Sequence, residues 1–106
     1  MILATTNDIP AKEITETIGL VRGNTIRARH LGRDITALLR NIVGGEVRDY
    51  TKMMAEAREQ ALDRMIAEAE ALGANAITGI RFSTSFVMQG AAEFLVYGTA
   101  VKVADV

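Results

Sequence analysis

The 106-residue sequence contains no cysteine, no tryptophan and a single proline. The absence of cysteine excludes disulfides, thiolate metal sites and cysteine nucleophiles, and it is typical of a reducing compartment. Histidine occurs once, at His30, so one chain offers a single imidazole to a transition metal. Zinc and copper sites need several nitrogen or sulfur ligands, and the ligand count therefore favours a structural or surface role for His30. We expect no metal site within one chain.

The sequence also has little net charge and no long apolar run. Twelve Lys and Arg against thirteen Asp and Glu give a formal net charge of −1, which argues against a nucleic-acid-binding protein, whose affinity rests on many phosphate contacts. Charged residues interrupt every window that approaches the roughly 18 apolar residues of a membrane span. The first residues lack the basic and apolar regions of a secretory signal. We therefore expect one cytoplasmic domain over residues 1–106, with neither nucleic acid nor membrane as a partner.

The clearest pattern is an apolar stripe at helical spacing between Asp49 and Leu72. Residues recur every three or four positions, as on one face of an amphipathic helix; they are Tyr50, Met54, Ala57, Ala61, Met65, Ala69 and Leu72. Asp49 is the predicted N-cap, and Gly73 is the predicted first residue beyond the C-terminal end. Met53, Leu62 and Ile66 widen the apolar face, so we expect the helix to contact a second surface, such as another helix or subunit.

Three segments rich in β-branched residues predict strands. Residues 14–26 indicate a strand with a bend or bulge near Gly23. Residues 76–88 and 93–103 indicate an antiparallel hairpin that reverses at residues 89–92. Along residues 93–103 the alternation predicts that one face of the strand carries Leu95, Tyr97, Thr99, Val101 and Val103. Both faces of the last strand are apolar, so we expect one face to meet the long helix and the other to be covered by something else.

A brief first strand and a shorter helix complete the predicted architecture. The first strand precedes a turn at Pro10. Apolar residues at helical spacing over residues 31–43 predict a helix that ends at Gly44 and Gly45. The order β-β-α-α-β-β predicts an α+β fold, with a mostly antiparallel sheet that carries one long and one short helix on one face.

The strongest local charge asymmetry lies between Arg22 and Arg40. This segment holds five Arg and one Asp, and its candidate ligand-binding residues are Arg22, Arg27, Arg29, His30 and Arg33. A guanidinium presents a planar fork that suits phosphate or carboxylate, and an imidazole adds a titratable donor. The alternative is that these arginines cap helix ends or form ion pairs between subunits, as most charge runs do. The more specific hypothesis is that this segment binds a small anionic ligand.

No catalytic motif is present in the sequence. It contains no phosphate-binding or dinucleotide-binding glycine pattern, no calcium loop and no G-x-S-x-G elbow. An enzyme would therefore need a composite site between subunits, with Glu46, Asp49 or His30 as acid or base and Tyr50 as a hydrogen-bond donor. We assign no catalytic residue, and the cofactor is left unknown.

A series of short motifs runs through the sequence from about Thr5 to Val103. The motifs are Gly19-Leu20-Val21-Arg22-Gly23, Arg33-Asp34, Ile42-Val43-Gly44-Gly45-Glu46, Tyr50, Ala57-Arg58-Glu59-Gln60-Ala61, Leu72-Gly73-Ala74-Asn75-Ala76-Ile77 and Tyr97-Gly98-Thr99-Ala100-Val101. In order and spacing they resemble the YbjQ family of small bacterial and archaeal proteins. The resemblance implies a compact α+β subunit, similar to dodecin-like folds, that assembles into a ring-shaped homopentamer. The family carries a heavy-metal-binding description, and its glycines and alanines imply tight turns and close packing.

These patterns together lead us to expect a non-catalytic oligomeric binding or scaffold protein. Subunit interfaces or a central channel would hold an anionic metabolite or an ion near the basic segment. Three alternatives stay open: an enzyme with a composite site between subunits, a heavy-metal-binding protein as the resemblance implies, and an assembly that only serves another partner.

Overall fold

The computed structural model describes residues 1–27, 47–88 and 91–106. Five elements follow one another in this part of the chain: β1 (Ile2–Leu3), β2 (Lys12–Arg27), α1 (Val47–Ala71), β3 (Ala76–Met88) and β4 (Ala91–Asp105). The strands form one sheet in the order β1-β3-β4-β2. Strand β4 pairs antiparallel with β2 and with β3, and β1 pairs parallel with β3. The predicted α+β fold with a mostly antiparallel sheet is confirmed; the predicted short helix lies outside the described residues.

Helix α1 packs across β2 and β4 through a stripe of small and flexible side chains. Ala57, Ala61, Met65 and Ala69 are at most 1% exposed, so the central positions of the predicted stripe are confirmed. Alanine lets the helix backbone approach the sheet closely, because the side chain adds only one carbon. Leu72 is 51% exposed, and its prediction as part of this buried stripe was wrong because the helix ends one residue before it.

Gly23 marks the closest approach of β2 to α1. It lies opposite Val96 in the β2–β4 register. A Cβ atom at Gly23 would overlap the carbonyl oxygen of Ala61 and would stand 2.6 Å from the amide nitrogen of Met65. The glycine therefore serves close packing between strand and helix, as the resemblance implied, because any side chain would push the two elements apart.

The irregularities of β2 lie elsewhere than predicted. The register with β4 is continuous at Gly23 and shifts between Ile14 and Glu16 and between Thr17 and Gly19, so the predicted bulge near Gly23 was wrong. Gly19 adopts a φ angle of 144°, a conformation that side chains rarely allow. The register shifts therefore lie next to Gly19, whose backbone needs conformational freedom, whereas Gly23 serves close packing against α1.

The C-terminal end of α1 is a Schellman motif built on Gly73. This residue has a φ angle of 85°, and its N–H donates to the carbonyl oxygen of Glu70 at 3.0 Å. The N–H of Ala74 donates to the carbonyl oxygen of Ala69, also at 3.0 Å. These two bonds satisfy carbonyls that the end of a helix leaves free. The predicted role of Gly73 is confirmed.

The other end of the helix differs from the prediction. Helix α1 already includes Val47, so Asp49 lies within the helix and its prediction as the N-cap was wrong, because an N-cap precedes the helical residues. Val47 lies three residues before Tyr50 and continues the helical spacing of apolar residues, so the pattern itself extended past the predicted N-cap. The side chains of Tyr50 and Met53 lie outside the described residues.

The two faces of the sheet have different environments. On the face toward α1, the β4 residues Ala92, Phe94, Val96 and Ala100 are at most 4% exposed. On the opposite face Tyr97 is 39% exposed. The helix thus covers one face, as predicted, and the described residues leave much of the second face open.

Candidate ligand site on the open face of the sheet

The structure describes two of the five residues predicted to bind a ligand. Arg22 is exposed and pairs with Tyr97, and Arg27 is the last residue of β2 and pairs with Ala92. Five positions along an extended strand separate the two arginines by about 16 Å. Arg29, His30 and Arg33 lie outside the described residues, so the described part of the predicted set consists of two separated positions.

Arg22 belongs to a row of three residues that crosses the sheet. Tyr97 pairs with Arg22 of β2 on one side and with Arg81 of β3 on the other. Directly paired residues of antiparallel strands project from the same face, and this row lies on the face away from α1. Two strand spacings separate the backbones of the arginines by about 10 Å. We call this group the Arg-Tyr-Arg row.

The two arginines of the row differ in how they are held. The Nη1 atom of Arg81 donates to the carbonyl oxygens of Thr5 and Ile80, both at 2.8 Å. These two acceptors orient the guanidinium and leave its Nε and Nη2 donors without an acceptor in the described part of the chain. Arg22 has no hydrogen bond or ion pair with any described residue. Both arginines therefore retain donors for a ligand.

Neither arginine of the row forms an ion pair with a described carboxylate. Glu93 lies on the same face, four positions from Tyr97 along β4 or about 13 Å, and its Oε2 accepts a hydrogen bond from Asn24 at 3.3 Å. Glu16 forms an ion pair with Lys102 at 3.4 Å. The positive charge of the row is thus not neutralised by a described carboxylate.

An open pocket of about 790 Å³ adjoins Arg81. It is lined by Arg81, by residues 5–11 of the connection from β1 to β2, and by Lys12, the first residue of β2. Within the connection Ala11 has a φ angle of 63°, a left-handed conformation that costs a residue with a side chain roughly 1–2 kcal/mol. Asp8 also lines the pocket and places one carboxylate there.

Lys12 forms an ion pair with Asp105, which closes the start of β2 against the end of β4. The hydrogen bond from Lys12, and then its positive charge, hold the pKa of the Asp105 carboxyl below its usual value. The Lys12 ammonium is thereby occupied, and Arg81 is the cation of this pocket with donors available among the described residues.

The described residues do not form a zinc-type site. In the described ranges, no three His, Cys, Asp or Glu residues lie close enough to hold a metal ion. The full sequence supplies no cysteine and one histidine, whereas zinc sites are built from several thiolate, imidazole or carboxylate ligands. Among the described residues, no helix is long and apolar enough to cross a membrane.

The described fold and site define an α+β domain, with a long helix on a mostly antiparallel sheet and a basic row on the opposite face. The family model described as "Putative heavy-metal-binding" matches residues 1–104. The chain belongs to this family, the YbjQ family, and the resemblance seen in the sequence is confirmed.

Relatives of similar length occur in archaea and bacteria. A UPF0145 protein of Methanosarcina acetivorans is 58% identical over 103 residues, which is 97% of each chain. A UPF0145 protein of Photobacterium profundum is 57% identical over 102 residues, or 96% of this chain and 99% of the relative.

A solved structure shows the same fold. It is a protein of unknown function of the DUF74 family from Pediococcus pentosaceus, with a TM-score of 0.64 and 16% identity over 98% of each chain. At this identity the likeness concerns the fold alone.

Sequence reasoning missed Tyr97 and Arg81 as partners of Arg22. The charge pattern directed attention to arginines that are near one another along the chain. The row instead joins residues 22, 81 and 97, which only strand pairing brings together. Alternation along residues 93–103 placed Tyr97 on one face of its strand, and this was the one signal in the sequence that pointed toward it.

Proposed function

We propose that this chain is the subunit of a ring-shaped homopentamer that acts in the cytoplasm as a non-catalytic binding or scaffold module. The observation that carries the proposal is the exposure of Phe82 and Phe86 on β3, at 52% and 77%. Burying a phenylalanine side chain is worth about 1.5–3 kcal/mol. A pair of bare rings on one strand favours a protein partner.

Strand pairing places these two rings on the side of the sheet that carries the helix. Phe82 pairs with Val96 and Phe86 pairs with Ala92, and both partners are buried toward α1. Helix α1 packs mainly against β2 and β4, and it shares a buried cluster with Ile77 and Ile80 in the first half of β3. In the described part of the chain, the second half of β3 therefore carries two exposed phenylalanines on the helix side of the sheet.

The edges of the sheet offer a way to cover the rings. Strand β1 pairs with β3 only at Ala76 and Ile77, so in the described chain no strand adjoins the outer edge of β3 from Arg81 onward. The outer edge of β2 likewise has no strand beside it there. Unpaired strand edges are templates for another chain. A second copy that added its β2 to this β3 would continue the sheet and bring its helix toward Phe82 and Phe86.

This arrangement supports a ring because the two edges are different surfaces. A contact between unlike surfaces repeats from one copy to the next, and the repeat closes into a ring when the rotation allows.

The binding role is assigned to the basic segment, where a small anionic metabolite or an ion would be held near Arg22, Arg27, Arg29, His30 and Arg33. The exposure of Arg22 and its lack of a partner in the described residues support this part of the proposal. The non-catalytic role rests on the sequence, which contains no motif for covalent or acid-base chemistry.

The assembly is tested by a double substitution, Phe82→Ser with Phe86→Ser, measured by size-exclusion chromatography with light scattering. We expect the double variant to have a lower mass than the wild-type assembly while circular dichroism shows an unchanged fold, because both side chains are exposed in the subunit. The control is Leu72→Ser, which removes a side chain of similar exposure at the end of α1 and should leave the mass unchanged. A double variant with the wild-type mass would contradict the proposed interface.

A further inference from the structure

We propose that the Arg-Tyr-Arg row binds a small ring-bearing phosphate compound of the nucleotide class. This inference deepens the proposed function, because it names the chemistry of the ligand and places the site on the open face of one subunit. It rests on the proposed binding role and is independent of the assembly.

The charge of the row selects an anion. Among the described residues, Arg22 and Arg81 each keep guanidinium donors without an acceptor, and neither forms an ion pair with a carboxylate. Arg81 is already oriented by the carbonyl oxygens of Thr5 and Ile80, so part of the entropy cost of fixing a long side chain is met before a ligand arrives. A phosphate group accepts two parallel hydrogen bonds from one guanidinium, which makes it a strong partner for either arginine.

The ring of Tyr97 selects the rest of the ligand. It lies between the two arginines at the centre of the sheet and is 39% exposed. Aromatic side chains on an open sheet face stack the flat rings of nucleotide bases, largely without regard to base identity. A ligand with a flat ring and a phosphate would place its ring on Tyr97 and its charge at Arg22 or Arg81.

The neighbours of the row leave room for such a ring. On the same face, the next row consists of Asn24, Leu95 and Ser83, which carry no charge and include amide and hydroxyl groups for hydrogen bonding. Leu95 is partly buried, and Asn24 and Ser83 are exposed. The edge-to-edge assembly proposed above does not require this face of the sheet, so the site stays accessible in the assembled pentamer.

A single aromatic residue on an open face suits a single nucleotide unit. Sheets that bind single-stranded nucleic acid stack two or three bases on several aromatic side chains, whereas Tyr97 is the one aromatic residue among the described positions of this face. The near-zero net charge of the chain also argues against the broad basic surface that binding of a nucleic-acid polymer requires. The geometry therefore favours a small molecule over a strand.

The test uses the full-length protein with adenosine monophosphate as the probe. Adenosine and inorganic phosphate, the two parts of the probe, serve as separate controls. Binding is followed by NMR through the Tyr97 ring signals and the Nε–H signals of Arg22 and Arg81. We expect adenosine monophosphate to shift these signals in a saturable way, with at least tenfold weaker binding of adenosine and of phosphate alone. Raising the salt concentration should weaken binding, because the phosphate contacts are exposed.

Two variants and one control locate the site. Arg22→Gln and Tyr97→Leu are each expected to weaken binding of adenosine monophosphate about tenfold, through loss of the ionic and of the stacking contact. Arg58→Gln removes an exposed arginine on α1 and should change the affinity less than about twofold. Variants that bind as well as the wild type, or a wild type whose Tyr97 signals do not move, would overturn the proposal.

Light scattering on the same samples separates this inference from the proposed function. A pentamer that fails to bind the probe would overturn the site and leave the assembly standing. A monomer that binds the probe through Arg22 and Tyr97 would support the site and overturn the assembly.

Discussion

Gly23 and Ala61 are in backbone contact, with no space for a side chain between strand β2 and helix α1. A Cβ atom at Gly23 would overlap the carbonyl oxygen of Ala61. Because that oxygen belongs to a helix whose buried face contacts the sheet along its length, the clash cannot be relieved by a side-chain rotation. The contact sets how closely the helix lies on the sheet.

We predict that Gly23→Ala lowers the free energy of unfolding by about 3 kcal/mol, because the helix must move away from β2 and lose packing around Met65. The measurement is chemical denaturation at one fixed protein concentration, since assembly would also stabilise the fold. Thr17→Ala, at an exposed position of the same strand, is the control and should cost no more than about 0.5 kcal/mol. Equal losses for the two variants would contradict the close approach.

The C-terminal cap of α1 gives a second prediction. Gly73→Ala should cost about 1 kcal/mol, because Gly73 has a φ angle of 85° that alanine adopts only with strain. The cost is conformational, since the nearest atom to an added Cβ is the Cε of Lys102 at 3.7 Å. Gly73→Asn should lose less than Gly73→Ala, because asparagine tolerates left-handed backbone better. Thermal denaturation of the three proteins checks this order, and an alanine variant as stable as the wild type would refute it.

Thr25 provides a prediction in the stabilising direction. Its side chain is 4% exposed, and in the described structure its Oγ1 has no hydrogen-bond partner. Thr25→Val replaces this buried hydroxyl with a methyl group of similar shape, so stability should rise by about 1 kcal/mol. The control Thr15→Val removes a hydroxyl that donates to the carbonyl oxygen of Lys102 at 3.2 Å, and it should be neutral or slightly destabilising. A loss of stability in Thr25→Val would show that the hydroxyl has a partner.

The Lys12–Asp105 pair predicts a dependence on pH. Because Lys12 lowers the pKa of Asp105 in the folded state, the pair stabilises the fold above the unfolded pKa of the carboxyl, and this contribution disappears as the pH falls through the folded pKa. Lys12→Gln should therefore melt slightly below the wild type at neutral pH, and the two should converge in acid. The effect is small because the pair is exposed to solvent.

The same variant permits a direct measurement of the carboxyl. An NMR titration should show a higher pKa for Asp105 in Lys12→Gln than in the wild type. Lys52→Gln, which removes an exposed lysine on α1, should leave the Asp105 titration unchanged. An unchanged pKa in Lys12→Gln would mean that the ion pair does not form in solution.

Local patterns were sufficient to predict much of the fold. The period of the apolar stripe placed Ala57, Ala61 and Met65 on the buried face of α1, because helical geometry alone puts residues three and four apart on one side. Gly73 could be predicted at the helix end because the cap is formed by local hydrogen bonds within the last turn of the helix. The strands at residues 14–26 and 93–103 followed from β-branched residues and alternation.

Features that depend on pairing between distant segments were missed or misplaced. The packing role of Gly23 requires knowing that it lies beneath Ala61, and the shifts around Gly19 arise only when β2 is aligned with β4. The Arg-Tyr-Arg row joins Arg22 of β2 to the distant β3–β4 hairpin, and the register between them cannot be deduced from the charge pattern of one segment.

A ring of five subunits is the assembly proposed for this chain. Native mass spectrometry of the purified protein tests it most directly, because the method counts subunits and detects any retained ligand. We predict a species of roughly five times the subunit mass of 11.5 kDa, which separates into single chains on denaturation. A protein that remains at the mass of one chain across the concentrations tested would contradict the claim.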